Sequence, residues 1–256
     1  MKVHLVLVDG MRPDALSCCT NPYIQQLLDN SLHTLNARCV FPSVTLPCHM
    51  SLFHSVDPDR HGITTNFYMP QVRPVNGICE QLKGKRTSAL VYNWEELRDL
   101  TRPGSLTHAY FFSGHTPGGY ELANQKVTAA TLDLIADQNP DFIFTYLGWT
   151  DEAGHAHGWM TDEYFRSIDE SFGCIQRIIE ASSEDTVTIV VADHGGHGRG
   201  HGTTEETDML IPVILHGKDI TPGILTGDVS IKDISPTVVK LLDCAPAAEW
   251  EGTSLL

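Results

Sequence analysis

Short apolar segments followed by an aspartate recur along this chain. Three of them end shortly before Asp9, Asp151 and Asp193, and a fourth lies between the first two of these positions. Apolar runs of this length, without alternating polar residues, are typical of strands that are buried on both faces of a sheet. The four predicted strands cover residues 3–8, 88–92, 142–147 and 187–192.

Between these segments, apolar residues recur at helical spacing. Strands that alternate with helices favour a largely parallel sheet covered on both faces. We therefore expect an α/β fold with a mostly parallel central sheet and helices on both faces, in one domain over residues 1–256. A span rich in proline, glycine and aromatic residues, about 61–119, is expected to form a small cap. The predicted helices cover residues 22–29, 120–137, 162–179 and 231–242.

The three aspartates are expected to meet at one edge of the sheet. In open α/β sheets, ligands bind beyond the carboxyl ends of the strands, and Asp9, Asp151 and Asp193 each follow a predicted strand. Three carboxylates brought together repel one another and lose hydration unless cations neutralise them. The sequence therefore predicts either metal ions or basic partners at this edge.

Histidines beside these aspartates favour metal ions, and the chain has 13 of them. Asp151 and His155 are four residues apart, about one helical turn, so both side chains can reach the same ion. Asp193 and His194 are adjacent, and the glycine-rich segment that follows brings further imidazoles, among them His201. Mixed aspartate and histidine ligands suit zinc or manganese better than calcium or magnesium. We expect two Zn²⁺ ions, with Mn²⁺ as the alternative.

A threonine provides a candidate nucleophile. Thr45 lies where a polar segment runs into an apolar helical pattern, so it is expected near a helix start. The positive end of the helix dipole and a directly bound metal would both lower the pKa of its hydroxyl. Two divalent cations carry about +4 in charge, and three aspartates with a Thr45 alkoxide carry about −4, so the filled site would not repel a phosphate. Taken alone, Thr45 also fits an ordinary helix cap.

Several motifs, in their order along the chain, resemble one known family. They lie at residues 8–14, 41–45, 60–63 with Asn66, 151–155 and 192–196, with two more at 231–237 and 252–255. Each motif alone is weak, but together they cover most of the chain. The sequence resembles the alkaline phosphatase superfamily and, within it, the type I phosphodiesterase/nucleotide pyrophosphatase branch. The resemblance implies an alkaline phosphatase-like fold.

The resemblance also implies which residues bind the two ions. The first ion is expected to bind Asp151, His155 and His201. The second ion is expected to bind Asp9, Asp193 and His194, with Thr45 as a further ligand.

The reaction that the resemblance implies is hydrolysis of a phosphodiester or pyrophosphate bond in a small-molecule phosphate ester. Thr45 would attack phosphorus in line and form a covalent phosphothreonine, which water activated at the first ion would then hydrolyse. Asn66, 21 residues after Thr45, matches an asparagine that donates to a phosphate oxygen in this branch. Relatives that prefer monoesters often carry a Lys-x-Arg pair, and residues 92–98 contain no such pair, which favours a diester.

Other interpretations share part of these observations. The same residues would serve a phosphate monoesterase or a phosphonate hydrolase. A sulfatase places its nucleophile in a Cys/Ser-x-Pro-x-Arg frame, and residues 45–49 contain neither the modifiable residue nor the arginine. A metal-binding module without catalytic activity would need only the metal ligands. Taken alone, Asn66 also fits a residue that caps its own loop. His49 is expected to pack in the interior or to be exposed. His197 is expected to support the metal ligands or to face solvent.

Charge and cysteine content limit the setting of the protein. The 32 acidic and 17 basic residues give a net charge of −15, which disfavours coating of nucleic acid or of anionic membranes. No apolar run approaches the roughly 20 residues of a membrane span, and the first residues lack the pattern of a secretory signal. The seven cysteines contain no Cys-x-x-Cys pair. We expect a cytoplasmic protein, and the sequence leaves its oligomeric state open.

Overall fold

One mixed sheet of eight strands forms the centre of the protein, and the computed structural model describes residues 1–256. The strands lie in the order β4-β3-β5-β1-β6-β7-β2-β8. β7 is antiparallel to its neighbours β6 and β2, and all other pairings are parallel. The strands are β1 (Lys2–Val8), β2 (Leu32–Arg38), β3 (Ser88–Tyr92), β4 (His108–Phe111), β5 (Phe142–Leu147), β6 (Thr186–Val191), β7 (Leu210–His216) and β8 (Gly223–Ile224).

Helices connect most of the strands. The longest of them, α5 and α7, pack against each other, and α2 packs against α9. Three short 3₁₀ helices lie at Asp14–Ser17, Glu95–Leu100 and Ile231–Asp233. The α-helices are α1 (Tyr23–Asp29), α2 (Thr45–His54), α3 (Pro58–His61), α4 (Ile78–Leu82), α5 (Gly119–Asp137), α6 (Trp149–His157), α7 (Asp162–Ala181), α8 (Glu206–Met209) and α9 (Ile234–Leu241).

The predicted α/β fold with a mostly parallel sheet is confirmed. The four predicted strands correspond to β1, β3, β5 and β6 within one residue at each end, and the predicted helices correspond to α1, α5, α7 and α9. Residues 3–8 of β1 are all buried, which is expected for a central strand covered on both faces.

The register of the central strands places their carboxyl ends together. Val8 of β1 lies opposite Leu147 of β5, and Leu7 lies opposite Val191 of β6. The segments that follow these three strands therefore leave the sheet at one edge, as the sequence predicts.

The remaining strands were not predicted. The span 61–119, assigned to a cap from its composition, contains β3 and β4, so these two segments belong to the sheet. A single domain with the other loops of this span as a cap stays a prediction. No helix combines the length and apolar character required to span a membrane.

Candidate metal centre and nucleophile

The three aspartates lie together beyond the ends of β1, β5 and β6. Asp9 and Asp193 are fully buried, and Asp151 lies in the first turn of α6. The backbone amide of Gly10 donates to Oδ1 of Asp193 at 3.1 Å, which ties the segment after β1 to the segment after β6. The predicted convergence of the three carboxylates is therefore present.

One group of ligand atoms comprises Asp151, His155 and His201, and we call it site A. Its three ligand atoms lie within 4.8 Å of one another. His155 Nε2 is 3.3 Å from Asp151 Oδ2, and His201 Nε2 is 3.7 Å from Asp151 Oδ1. Asp151 and His155 lie one turn apart on α6, while His201 comes from the loop after β6.

A second group comprises Asp9, Asp193 and His194, and we call it site B. His194 Nε2 lies 3.4 Å from Asp9 Oδ1 and 3.5 Å from Asp193 Oδ2. The hydroxyl of Thr45 is 3.2 Å from the same His194 nitrogen. Asp151 is also close to Asp9 and His194, so this carboxylate lies between the two sites.

Each aspartate keeps one carboxylate oxygen without a hydrogen-bond partner. These oxygens are Asp9 Oδ1, Asp151 Oδ1 and Asp193 Oδ2, and all three are buried. The other oxygen of Asp9 accepts from the hydroxyl of Tyr146. Oδ1 of Asp193 accepts from the backbone amides of Gly10 and His194. Unpaired buried carboxylate oxygens cost free energy, and the closeness of Asp9 Oδ1 and Asp193 Oδ2 to the same nitrogen of His194 favours a cation beside them.

The three histidines of sites A and B share one orientation. Each directs Nδ1 at a backbone carbonyl, namely His155 at Arg199 (3.0 Å), His194 at Gly195 (2.8 Å) and His201 at Ser43 (2.8 Å). With Nδ1 at a carbonyl, Nε2 is the ring nitrogen that faces the carboxylates, which is the arrangement found in metal-ligating histidines. The residues present therefore fit divalent metal ions.

The pKa shifts of these residues also favour a metal ion. Burial, together with the charges of Asp193 and Asp151, raises the pKa of Asp9 well above its usual range. Burial lowers the pKa of His194, and lowers that of His201 to about 4. His155 differs, because its hydrogen bond with Asp151 raises its pKa to about 9. The crowded carboxylates thus lack a permanent positive partner within site B, which a metal ion would supply.

Thr45 is the first residue of α2 and is almost completely buried, as expected for a residue at a helix start. Asn66 lies beside it, because the backbone amide of Leu46 donates to Oδ1 of Asn66 at 3.0 Å. This contact uses the amide oxygen of Asn66 and leaves its Nδ2 available as a donor.

Two buried side chains near site B were not predicted as site residues. His49, expected only to pack or be exposed, places Nδ1 2.8 Å from the carbonyl oxygen of Thr45 and 3.4 Å from Asp193 Oδ2. Tyr146 donates to Asp9 from β5. The position of His49 one helical turn after Thr45 is a signal in the sequence, whereas nothing marks Tyr146 among the apolar residues of its strand.

Comparison with known sequences identifies a family. Residues 3–199 match the family described as type I phosphodiesterase / nucleotide pyrophosphatase. Ectonucleotide pyrophosphatase/phosphodiesterase family member 1 from Homo sapiens is 25% identical over 215 residues, which are 75% of this chain and 23% of that protein. The chain thus spans about a quarter of the length of this relative. Phosphopentomutase from Clostridium kluyveri is 30% identical over 149 residues, 57% of this chain and 37% of that protein.

Solved structures share the fold. Murine ectonucleotide pyrophosphatase / phosphodiesterase 5 superimposes with a TM-score of 0.82 at 15% identity, covering 99% of this chain and 98% of the other. An inactive threonine-to-alanine variant of that protein, in complex with AMP, gives 0.81 at 14% identity, covering 99% and 97%. A 2-O GAG sulfatase gives 0.77 at 13% identity, covering 99% of this chain and 73% of the other.

Proposed function

This chain belongs to the type I phosphodiesterase / nucleotide pyrophosphatase family, and we propose that it is a two-metal hydrolase of phosphodiester or pyrophosphate bonds. The observation that carries the proposal is that three buried carboxylate oxygens without hydrogen-bond partners lie beside the Nε2 atoms of three histidines, one of which, His194, is 3.2 Å from the hydroxyl of Thr45. Such a set of groups does not stabilise a folded core, because it leaves buried acceptors without donors.

Site A would hold one ion and site B the other, with Thr45 as a further ligand at site B. Zinc suits these ligands, because imidazole nitrogens and monodentate carboxylates are its usual donors in catalytic sites. His201 lies beyond the residues that match the family, so its assignment rests on its position beside Asp151 and on the stacking of its ring against His194, with 3.9 Å between the centroids.

The chemistry follows from the position of Thr45. Bound divalent ions would neutralise charge on the phosphate and favour the ionised threonine hydroxyl. Thr45 Oγ1 attacks phosphorus, the bond to the leaving oxygen breaks, and a covalent phosphothreonine forms. Asn66 Nδ2 donates to a nonbridging phosphate oxygen. Water then cleaves the phosphothreonine on the side that the leaving group has vacated, which restores Thr45 and gives net retention of configuration at phosphorus.

The charges near the site favour a diester over a monoester. A monoester brings an additional negative charge, which a cationic side chain would have to bind. Arg98, the arginine of the 92–98 segment, is exposed and pairs with Glu95 and Asp99. The AMP complex of the structurally similar protein supports a small-molecule phosphate ester as substrate.

Hydrolysis of two nitrophenyl esters tests the proposal. The zinc-loaded protein is expected to cleave bis-nitrophenyl phosphate with a higher kcat/KM than nitrophenyl phosphate. Thr45→Ala should lower kcat by about 10⁴-fold, since it removes the nucleophile. The matched control is Thr221→Ala, an exposed threonine with no role in the site, which should keep wild-type activity. A strong preference for the monoester would replace the diester assignment, and an active Thr45→Ala variant would refute the nucleophile.

We also propose a reducing, cytoplasmic location. It is supported by the seven cysteines, all of which are free, including the buried Cys39 and Cys48. In lysates that are denatured in the presence of an alkylating reagent, every thiol of the protein should be alkylated. Recovery of a disulfide by mass spectrometry would contradict this location.

A further inference from the structure

The loop of residues 195–202, which we call the glycine loop, contacts both histidines of site A. Its first residue, Gly195, also accepts from Nδ1 of His194 at site B, but the side chain of Asp208 does not contact Gly195. It carries His201 itself, and its Arg199 carbonyl accepts the hydrogen bond that orients His155. Five of its eight residues are glycine. Glycine loses more conformational freedom on folding than any other residue, so a loop of this composition needs strong anchors to hold one geometry.

Asp208 of α8 provides such anchors from outside both sites. Its side chain is 0% exposed. One carboxylate oxygen lies 2.7 Å from His197 Nδ1, in the middle of the glycine loop. The other accepts from the backbone amide of Thr203 at 2.9 Å and from its hydroxyl at 2.8 Å. The backbone carbonyl of Asp208 accepts from the amide of Gly195 at 2.8 Å. A single residue thus binds the first residue of the loop, its middle and the residue that follows it.

Hydrogen bonds continue from this anchor to the metal ligand. The carbonyl of Thr203 accepts from the hydroxyl of Ser43 at 2.7 Å, and the carbonyl of Ser43 accepts from Nδ1 of His201 at 2.8 Å. Because Ser43 lies two residues before Thr45, the same contacts tie the glycine loop to the segment that carries the nucleophile. Displacing Thr203 would therefore move the group that orients His201.

The buried carboxylate of Asp208 has no partner among the ligands of sites A and B. Burying a carboxylate is costly unless hydrogen bonds compensate it, and here every compensating donor lies in or beside the glycine loop. We propose that Asp208 is a positioning residue that fixes the glycine loop and thereby the two histidines of site A. This rests on the proposed function only in that site A binds a metal.

Zinc affinity of the two sites tests the role of Asp208. Asp208→Asn leaves one acceptor oxygen where the loop presents donors on two sides, so the loop should lose part of its anchoring. In a competition titration against a chromophoric chelator, we expect one of the two ions to bind 10- to 100-fold more weakly, in the range for residues that orient metal ligands, and the other to change by less than about threefold. Hydrogen exchange over residues 195–203 should become faster.

Glu206→Gln is the matched control, because Glu206 lies on the same helix, is exposed and would lose the same charge. It should leave both zinc affinities and the exchange rates unchanged. The weakened ion should be the one that His155→Asn also weakens, and saturating zinc should restore most of kcat in Asp208→Asn. If Asp208→Asn does not fold, Thr203→Val removes one anchor and should shift the same ion in the same direction by a smaller factor.

Three results would overturn the role of Asp208: unchanged affinities in a folded Asp208→Asn variant, an equal loss at both sites, or an equal loss in Glu206→Gln. Failure of the proposed function has a different signature. The two ions would then bind with the differential loss described, while no phosphate ester is cleaved. A wild-type protein that binds no zinc would refute both the role of Asp208 and the proposed function.

Discussion

Site A and site B are neighbours, yet different parts of the fold build them. The ligands of site B directly follow β1 and β6 and are fully buried. Site A combines a helix with the glycine loop, and the side chain of His155 is 41% exposed. A site fixed by strand ends keeps its geometry without a ligand, whereas a site on a loop depends on the anchors of that loop. We therefore expect site B to bind its ion more tightly and site A to exchange it faster.

The support beneath the two sites also differs. At site B, the side chain of Tyr146 donates to Asp9, backbone amides donate to Asp193, and His49 lies 3.4 Å from the other oxygen of Asp193. The rings of His49 and Tyr146 contact each other, with 5.4 Å between their centroids. At site A, backbone carbonyls alone orient the two histidines. We therefore expect a change at Tyr146 to act on the ion at site B, and changes at residues 197–202 of the loop to act mainly on the ion at site A.

The largest effect should follow from a change within site B. Asp9→Asn removes a charged ligand beside the nucleophile, so both the ion and the activation of Thr45 should be lost. We expect kcat/KM for the diester to fall by about 10³-fold or more, without recovery in excess zinc. Asp219→Asn, an exposed aspartate far along the chain, is the control for loss of charge. Activity within a factor of ten of wild type would remove Asp9 from the site.

His155→Asn changes site A and should be milder. Because site A is open and Thr45 keeps its contact at site B, we expect a loss of about 10²-fold at low zinc and a partial recovery as zinc is raised. The measurement is a zinc activation curve for each variant. If the activity of Asp9→Asn recovers in excess zinc and that of His155→Asn does not, site A and not site B binds its ion more tightly.

Tyr146→Phe probes the support beneath site B. It removes only the hydroxyl that donates to Asp9, so the carboxylate can turn away from the ion. We expect zinc at site B to bind about tenfold more weakly, with site A unchanged. The affinities are read by the same competition titration, with the exposed Tyr110→Phe as the control. Equal affinities in the two variants would show that the Tyr146 hydrogen bond does not position Asp9.

The smallest effect concerns the metal-free protein. The pKa of His155 is raised to about 9, above its ordinary value of 6.5, by the hydrogen bond with Asp151. Protonated His155 thus stabilises the fold below pH 6.5, and this contribution is lost as the pH rises through 9. The ring is half exposed, so we expect about 1 kcal/mol or less. His194 adds no such loss, because burial lowers its pKa.

Urea unfolding of chelator-treated protein at several pH values measures this term. The difference in free energy of unfolding between wild type and His155→Asn should shrink from pH 6.5 to pH 9. A difference that grows with pH would contradict the assigned direction of the shift.

The sequence predicts the parts of the fold that depend on local pattern. β1, β3, β5 and β6 are uniform apolar runs, and their aspartates are recognisable because parallel strands end at one edge. β7 was missed although it is largely apolar, because Pro212 within it argues against a central strand. β2 was missed because its polar residues, such as His33 and Asn36, conceal the alternation. Pairing of β2 and β7 is antiparallel and is decided by tertiary contacts.

The candidate site likewise has parts that the sequence predicts and parts that it does not. Asp9, Thr45 and His194 stand in motifs that the sequence presents at short range. The contacts that support the site join residues far apart in the sequence, so no local motif reveals them. Tyr146 contacts Asp9 across 137 positions, and Ser43 contacts Thr203 across 160. Asp208 follows an ordinary acidic stretch, and only its burial against the glycine loop distinguishes it.

Anomalous diffraction from zinc-loaded crystals tests the central claim most directly. We expect two zinc peaks, one about 2.1 Å from Nε2 of His155 and of His201, the other at the same range from Asp9, Asp193 and His194 with the Thr45 hydroxyl adjacent. A single peak, or a pair of peaks with Asp9 and Asp193 turned away from both, would contradict it.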